Sequence, residues 1–408
     1  MKLNYIKTLL FSAVVAGVGI FAACDDAEYS VLDTHAYIDE ALGGTSSKVT
    51  VQATGETTTT INIHMSNAAS VDSHYKLVVD SSVLEEYNKM NGTSYITIPE
   101  GQYKLPDDIL IKSGEYNAEE TTITLEAFSE EMVNSGEAYA LPVRLVSKDG
   151  NYPVMPNTGA YIILAENIIK FSAPQFYGGA RLSSPEYASD PKSYSQYTVE
   201  ARFQISNTAN RNRAVFTTSD GEPNGGSLLL RFEDPQSPDG DTPAHSLVQI
   251  QLNGSYVNPT NHFETNKWQH IAVTFDGTTY RIYVNGVDSG KLEGGKPCLK
   301  FKGIGWFTDG DGDQSGWWNG CKILVSQIRI WSVARNAAQI QNSMTQVSPK
   351  STGLEAYWRM DKGTTETRSD GTYTVFKDVT EHGYTLETKQ NVEWVDGILS
   401  TDTATPWK

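Results

Sequence analysis

Three aspartates alternate with glycines in one short stretch of the chain, and their side chains could bind a cation together. Asp309, Asp311 and Asp313 follow one another at every second position. Carboxylates with this spacing can converge on a hard cation such as Ca²⁺, which takes six to eight oxygen ligands. The stretch is not an EF-hand loop, because Gln314 stands at the glycine position and Gly320 at the glutamate position. The pattern leaves two interpretations open, a calcium site and a solvent-exposed turn.

Two tryptophans flank the aspartates. Trp306 precedes them and Trp317 follows them. A flat aromatic ring can pack against the apolar face of a sugar, while carboxylates and amides bind its hydroxyl groups. We therefore predict that both indoles and the three aspartates contact a glycan, with core packing of the indoles as the alternative. Other tryptophans belong to strand motifs and are predicted to be core residues: Trp268, Trp318, Trp331 and Trp358.

A second loop region could contribute to the same rim. Asn210, Arg211, Asn212 and Arg213 form a polar run, and a proline-rich loop extends over residues 234–243. Loops on a rigid β-scaffold often carry binding residues. Arg211 and Asn212 are therefore added to the predicted glycan contacts.

The common catalytic motifs are missing from the sequence. A retaining glycoside hydrolase needs two carboxyl groups about 5–5.5 Å apart, and no Glu-x-Asp motif occurs to place them on one strand. Gly-x-Ser-x-Gly and His-Glu-x-x-His are also absent. His270 lies in a strand motif and is interpreted as a half-buried, hydrogen-bonded residue. The sequence favours a binding protein over an enzyme.

The N-terminus carries an export signal. Lys2 and Lys7 precede an apolar stretch over residues 9–22, which is shorter than the roughly 20 residues of a membrane span. The small residues before Cys24 resemble the lipobox of bacterial lipoproteins. The resemblance implies cleavage after residue 23, acylation of Cys24 and lipid anchoring in the outer membrane; an ordinary secretory signal is the alternative. Asp25 and the aspartate after it are similar to surface-export signals, which implies exposure at the cell surface.

Charge limits the possible partners. The formal net charge is −17. Removal of the leader with its two lysines makes it −17 − 2 = −19. Such an acidic surface repels phosphates, so nucleic acid is excluded as a partner and neutral ligands or cations are favoured.

The two remaining cysteines flank the acidic stretch. Cys298 and Cys321 would face each other if the turn near Asp309 closed a hairpin. Because exported proteins fold in oxidising compartments, we predict a disulfide between them, with two buried free thiols as the alternative.

An all-β fold with two domains is predicted from the alternation of apolar residues. Residues 24–44 are polar and aperiodic and are interpreted as a lipidated tether. Residues 45–168 contain short runs of period two, which predict an Ig-like β-sandwich. One short helix is expected in it, since Ser82 and Glu85 form a capping-box pattern and Gly92 can end the helix. Residues 171–397 continue the strand pattern, and residues 398–408 are interpreted as a tail.

The most specific strand motif is a hairpin in the second domain. Two alternating runs, 268–275 and 280–284, are joined through Asp276 and Gly277. An Asp-Gly pair between such runs is a strong hairpin signal.

Both domains resemble known families. Pro99-Glu100-Gly101 and the strand 139–145 resemble an N-terminal domain of unknown function on Bacteroidetes surface lipoproteins, including some surface endo-β-N-acetylglucosaminidases. The hairpin motif, Trp318-Asn319-Gly320 and the strands at 328–331 and 354–360 resemble a laminin-G-like, concanavalin A-like jelly roll over residues 171–397. Arg202 stands where that family usually has tryptophan.

The resemblances imply a role at the cell surface. They imply that the protein holds oligosaccharide for neighbouring glycan-uptake proteins of a glycan-harvesting system. A protein-binding adhesin, an enzyme with a dispersed site and a purely architectural role remain as alternatives.

Overall fold

The structure, a computed structural model, describes residues 33–233, 243–309 and 316–408. The leader, Cys24, Asp311, Asp313 and most of the proline-rich loop lie outside the described residues. Among the described helices, none has the length and apolar character needed to cross a membrane.

The N-terminal domain is a β-sandwich. Its strands are β1 (Ala36–Ile38), β2 (Ser46–Val51), β3 (Glu56–Ile61), β4 (Ile63–Met65), β5 (Ser73–Val79), β6 (Ile96–Thr97), β7 (Tyr103–Lys104), β8 (Ile109–Ile111), β9 (Thr121–Glu126), β10 (Tyr139–Ser147) and β11 (Ala160–Asn167). The larger sheet has the strand order β2-β11-β10-β5-β8, with β6 beside β10. Strands β3-β9-β7 form a second sheet, and β1 pairs with β4.

Two helices accompany these strands, where the sequence predicts one. Helix α1 (Ser81–Asn91) begins one residue earlier than its predicted cap, because Asp80 accepts the hydrogen bond from the backbone of Ser82. Gly92 ends the helix in a left-handed conformation, as predicted. Helix α2 (Glu130–Ser135) was not predicted, although Ser129 caps it.

The predicted tether is wrong for its C-terminal part. Ala36 and Ile38 are fully buried in β1, and a 3₁₀ helix covers Asp39–Leu42. β1 pairs with β4 and fills the sandwich core. A strand of three residues is too short to show a clear alternation in the sequence.

The C-terminal domain is a jelly roll of two large sheets. One has eight strands, in the order β22-β21-β20-β15-β25-β12-β30 with β26 beside β25, and the other has nine, in the order β19-β18-β17-β16-β24-β13-β29-β28-β27. The strands are β12 (Lys170–Tyr177), β13 (Leu182–Ser183), β14 (Lys192–Ser193), β15 (Tyr197–Ile205), β16 (Arg213–Ser219), β17 (Ser227–Glu233), β18 (Leu247–Leu252), β19 (Ser255–Val257), β20 (Gln269–Phe275), β21 (Thr279–Val284), β22 (Val287–Glu293), β23 (Lys300–Phe301), β24 (Ile304–Asp309), β25 (Lys322–Trp331), β26 (Leu354–Trp358), β27 (Thr364–Arg368), β28 (Gly371–Lys377), β29 (Thr385–Thr388) and β30 (Glu393–Leu399). The short helices of this domain are α3 (Pro185–Ser189) and α4 (Ala337–Gln341).

This arrangement confirms the all-β prediction and the hairpin. β20 and β21 pair antiparallel, with Phe275 opposite Tyr280. The carboxylate of Asp276 accepts hydrogen bonds from the backbone of Thr278 and Thr279, which fixes the turn. The predicted core tryptophans Trp268, Trp318, Trp331 and Trp358 are all buried.

The predicted hairpin across the acidic stretch does not form. β24 before it belongs to the nine-stranded sheet, whereas β25 after it belongs to the eight-stranded sheet. The two segments therefore separate instead of pairing. Cys298 and Cys321 are buried free thiols, so the disulfide prediction is wrong and its alternative is correct.

The predicted C-terminal tail is part of the fold. Ile398 and Thr405 are buried. The hydroxyl of Thr405 accepts a hydrogen bond of 2.7 Å from Trp268 Nε1, and its carbonyl accepts one from Gln204. The segment covers the outside of the eight-stranded sheet, which the polar sequence of these residues does not reveal.

Arg202 stands where the family that the motifs resemble usually has tryptophan. Its guanidinium lies 4.8 Å from the ring centroid of Trp268 and 5.5 Å from that of Phe171. It also donates to the carbonyl of Ser400. Burial lowers the pKa of Arg202 to about 10, and the cation is retained between aromatic faces.

The two domains contact each other directly. Ser400 exchanges hydrogen bonds with Ile169 in the connection between β11 and β12. In addition, Gln339 donates to the carbonyl of Gly92, and Ser348 donates to Glu137 at 2.7 Å. Hydrogen bonds outside the connecting segment therefore also join the two domains.

Candidate functional site

Trp306 is not available to a ligand. Its side chain is 0% exposed and packs against Phe216, with 4.5 Å between ring centroids. β24 alternates so that Ile304 and Trp306 point into the core. The prediction that Trp306 contacts a glycan is wrong, and the core alternative is correct.

Asp309 closes the acidic loop. Its carboxylate is buried and accepts hydrogen bonds from the backbone N–H groups of Gly316 and Trp317, at 3.2 and 3.0 Å. Arg181 lies 3.3 Å from the same carboxylate. The prediction that Asp309 faces a glycan is wrong, because its oxygens are committed to the loop ends. No group of three His, Cys, Asp or Glu side chains that could hold a metal ion occurs in the described residues, which do not include Asp311 and Asp313.

The two predicted loop regions do meet. The half-buried Trp317 accepts hydrogen bonds at its backbone carbonyl from Asn210 Nδ2 and Arg213 Nε, at 3.1 and 2.9 Å. Arg213 is itself fully buried and lies over the ring of Trp318. The rim therefore forms, but hydrogen bonds within the protein occupy these groups.

The outer side of the nine-stranded sheet carries an open polar surface next to this rim. Leu228 and Leu230 point into the core, so Leu229 and Arg231 point outward. The register then places a row of side chains across neighbouring strands. We call the outward residues of strands β16 to β19 the polar face: Thr217, Leu229, Arg231, Gln249, Gln251 and Tyr256.

A hydrogen-bond network holds the polar face in one arrangement. Arg231 donates to Asn212 Oδ1 at 2.7 Å and to Gln249 Oε1 at 3.3–3.4 Å. Its guanidinium also lies 3.1 Å from Glu233, which pairs with Arg211 at 2.8 Å. The predicted residues Arg211 and Asn212 thus belong to this surface, where they orient Arg231.

Gln249 and Gln251 differ in their partners. Gln249 accepts from Arg231 and donates to Asn258 at 2.9 Å, so both ends of its amide are fixed. Gln251 Oε1 is buried and has no hydrogen-bond partner in the described part of the chain. An unsatisfied buried acceptor is costly, and a ligand hydroxyl would satisfy it once the amide turns toward the groove.

A shallow groove of about 330 Å³ runs over the polar face. It is lined by Ser227, Leu229, Arg231, Gln251, Leu252, Asn253 and Gly254. Tyr256, opposite Gln251 in the register, is 54% exposed at the edge strand. Amides and a guanidinium therefore line the opening, and an exposed aromatic ring lies on the neighbouring edge strand.

Sequence reasoning missed the residues at the centre of this surface. Arg231, Gln249 and Gln251 occupy the polar positions of alternating strands, and the period-two pattern alone marks them as outward-facing. That pattern does not distinguish a binding face from an ordinary solvated face, because it contains no information on which strands are neighbours.

A buried charge cluster lies on the other sheet. Glu200 is fully buried and contacts Arg335 at 2.6 Å, His270 at 2.9 Å and Arg329 at 3.2 Å. Although burial alone would raise the pKa of Glu200, the two guanidinium groups and His270 hold it well below its ordinary value. His270 is fully buried, not half-buried as predicted, and its Nδ1 has no partner in the described residues.

Family models match both domains. Residues 178–341 match the concanavalin A-like lectin/glucanases superfamily, and residues 32–152 match a family of N-terminal domains. These matches confirm that the chain combines the two kinds of domain that its motifs resemble. No curated protein matches the chain.

Several solved structures are similar to parts or most of the chain. A candidate carbohydrate-binding protein from Bacteroides ovatus is 21% identical, with 89% of this chain and 97% of that chain covered and a TM-score of 0.47. EndoBT-3987 from Bacteroides thetaiotamicron with Man5GlcNAc product is 18% identical, with 33% and 31% covered and a TM-score of 0.28. Domain 4 of an arabinanase from Geobacillus stearothermophilus with arabinotriose is 20% identical, with 42% and 75% covered and a TM-score of 0.30. At these TM-scores none of the three similarities bears on the function of this chain.

Proposed function

We propose that this protein binds glycans on the polar face of its jelly roll and has no catalytic role. The observation that carries the proposal is the combination of a pre-ordered polar network with the unsatisfied acceptor of Gln251 beside an open groove. A site whose polar groups are already oriented loses little conformational entropy when a ligand binds.

The chemistry of the polar face favours a neutral sugar. Arg231 and Arg211 share the carboxylate of Glu233, so these three side chains carry a net charge of +2 − 1 = +1 and the face offers hydrogen bonds with little excess charge. Sugar hydroxyls can donate to Gln251 and accept from Arg231. The exposed ring of Tyr256 can cover the apolar side of a sugar ring.

Matched substitutions test this proposal. Glycan arrays and retardation in polysaccharide gels, with and without calcium, should show retention of the chain beginning at residue 25. Tyr256→Ala and Gln251→Ala should each weaken binding roughly tenfold, which corresponds to about 1.4 kcal/mol. The controls are Tyr116→Ala, which removes a 55% exposed tyrosine of the N-terminal domain, and Gln52→Ala, which removes an exposed glutamine there.

Two results would contradict the proposal. One is the absence of retention by any glycan in either condition. The other is retention that is equally strong in the Tyr256 and control variants. Calcium dependence would support a cation site that includes Asp311 and Asp313.

The place of action is part of the proposal. Acylation of Cys24 would anchor the protein in the outer membrane, facing the cell surface, where it would present glycan to uptake proteins. The lipobox resemblance supports this step. Cys24→Ala should abolish labelling by a radioactive fatty acid and release the protein from membranes; a variant that remains labelled would contradict it.

A further inference from the structure

We propose a second sugar-binding site in the edge groove, an opening of about 380 Å³ at the far edge of the jelly roll. Its lining includes Thr365, Tyr373, Thr374, Gln390, Asn391 and Trp394. The groove is distinct from the polar face, because it is built from β27, β28 and β30 and the segment before β30. The site goes beyond the function proposed above and has its own ligand contacts.

The groove opens where the two large sheets diverge. β28 belongs to the nine-stranded sheet and β30 to the eight-stranded sheet. Phe376 still lies in the core and packs against the half-buried Trp394, with 6.1 Å between the ring centroids. Thr374 precedes Phe376 by two positions and therefore points to the same side of β28. Beyond Phe376, the opening is lined by threonines together with Val392 and Trp394.

Four polar side chains of the edge groove have no hydrogen bond to other described residues, whereas the hydroxyl of Tyr373 donates to Asp370. The side chains of Gln390 and Asn391 form no hydrogen bond with other described residues, and neither do the hydroxyls of Thr365 and Thr374. Each amide can both donate and accept. Together with the indole of Trp394, they offer what a sugar ring requires: an apolar platform and several hydrogen-bonding partners around it.

The charged residues beside the groove already have partners. Lys389 lies 2.9 Å from Asp370 and 4.9 Å from the ring centroid of Tyr373. Arg368 bridges Glu366 and Glu387, at 2.8 and 2.7 Å. These five side chains carry a net charge of 2 − 3 = −1, which repels phosphates and carboxylates, so we assign the groove to an uncharged sugar.

The two sites lie at opposite edges of the nine-stranded sheet. Tyr256 is on β19 and the edge groove begins at β27, which are the terminal strands. Eight spacings of about 4.8 Å separate these strands, or roughly 38 Å along the sheet. A polysaccharide that is long enough to reach both sites would gain affinity through multivalency, whereas a short oligosaccharide would bind each site separately.

The indole signal of Trp394 provides a direct test. In the full chain beginning at residue 25, Trp394→Phe identifies this signal in ¹⁵N NMR spectra. Neutral gluco-, manno- and galacto-oligosaccharides of two to six units are the probes. We expect at least one series to shift the Trp394 signal, and to shift it also in Tyr256→Ala, because the edge groove binds independently of the polar face.

Substitutions in the groove complete the test. The double variant with Gln390→Ala and Asn391→Ala should bind the oligosaccharide about tenfold more weakly, as measured by the Trp394 signal. Its fold should not change, since these side chains have no hydrogen-bond partners in the described part of the chain. Gln52→Ala is the control. A Trp394 signal that no oligosaccharide shifts would overturn the inference, even when Tyr256-dependent binding shows that the polar face functions. A Trp394 response without Tyr256-dependent binding would support the edge groove and contradict the function proposed for the polar face.

Discussion

Single residues in the jelly roll owe their roles to burial as much as to chemical type. Trp306 and Trp317 are both tryptophans beside the acidic stretch, but only Trp306 is fully buried. Asp309 has the chemistry of a cation ligand and is used to hold the loop ends. Residue type and spacing identify these residues as candidates. They carry no information on packing, and packing decides which role each residue has.

The unfolding free energies of two single variants should distinguish the core position of Trp306 from the rim position of Trp317. Trp306→Ala should lower the free energy of unfolding by about 3–5 kcal/mol, because it removes a large side chain from a packed core. Trp317→Ala should cost roughly 1–2 kcal/mol, since its ring is only half-buried. Denaturant unfolding of both variants measures these values. Equal losses would contradict the assignment of Trp306 to the core.

The buried cluster around Glu200 should make stability depend on pH. Burial lowers the pKa of His270 below its ordinary value of 6.5, against the opposing effect of Glu200. As the pH falls below about 6.5, the unfolded chain binds a proton at His270 before the folded chain does, so stability decreases. Below about 4.5, Glu200 adds a loss of the same sign because its folded-state pKa is lowered.

A histidine substitution isolates the first effect. His270→Gln should flatten the decrease of unfolding free energy between pH 6.5 and 5, because glutamine does not titrate. His35→Gln, at a half-buried position in the N-terminal domain, is the control. A His270→Gln variant with the same slope as the unsubstituted protein would contradict the role of the buried imidazole.

At the scale of the elements, the strands and one hairpin could be predicted from the sequence. Which other strands lie next to each other in the sheets could not. Alternation identified the runs around β20 and β21, and the Asp276-Gly277 turn joined them correctly. The same reasoning failed for β24 and β25, because a jelly roll sends successive strands to opposite sheets. The polar face depends on which strands lie beside β17, so it could not be located from the sequence.

Thiol chemistry checks the separation of β24 from β25. Cys298 and Cys321 should both remain free, so alkylation of the unfolded, unreduced chain beginning at residue 25, which lacks Cys24, should label two thiols. In the folded protein Cys298 should react slowly, because burial raises the pKa of its thiol to about 12 and keeps the thiolate scarce. Labelling that requires a reductant would contradict this arrangement.

The C-terminal segment should contribute to stability as an element of the fold. Thr405→Val keeps the shape of the side chain and removes the acceptor of Trp268 Nε1. The buried indole N–H would lose its partner, at a cost of about 1–3 kcal/mol in unfolding free energy. Thr401→Val, at an exposed position, should change it by less than about 0.5 kcal/mol. Equal effects would show that the segment does not pack as described.

At the scale of the whole molecule, the sequence supports two β-domains in the correct order but not their junction. The contacts of Gln339 with Gly92 and of Ser348 with Glu137 come from loops and short helices without any periodic pattern. They join the domains in addition to the connection between β11 and β12. The polar face and the edge groove both lie on the jelly roll.

Hydrogen–deuterium exchange in the presence of a retained oligosaccharide tests the central claim most directly. A ligand on the polar face should slow exchange in peptides covering β17 to β19, residues 227–257, and leave the N-terminal domain unchanged. Tyr256→Ala should abolish that protection, and Tyr116→Ala should preserve it. Protection confined to residues 36–167, or none in the jelly roll at a saturating ligand concentration, would contradict the claim that this sheet holds the sugar.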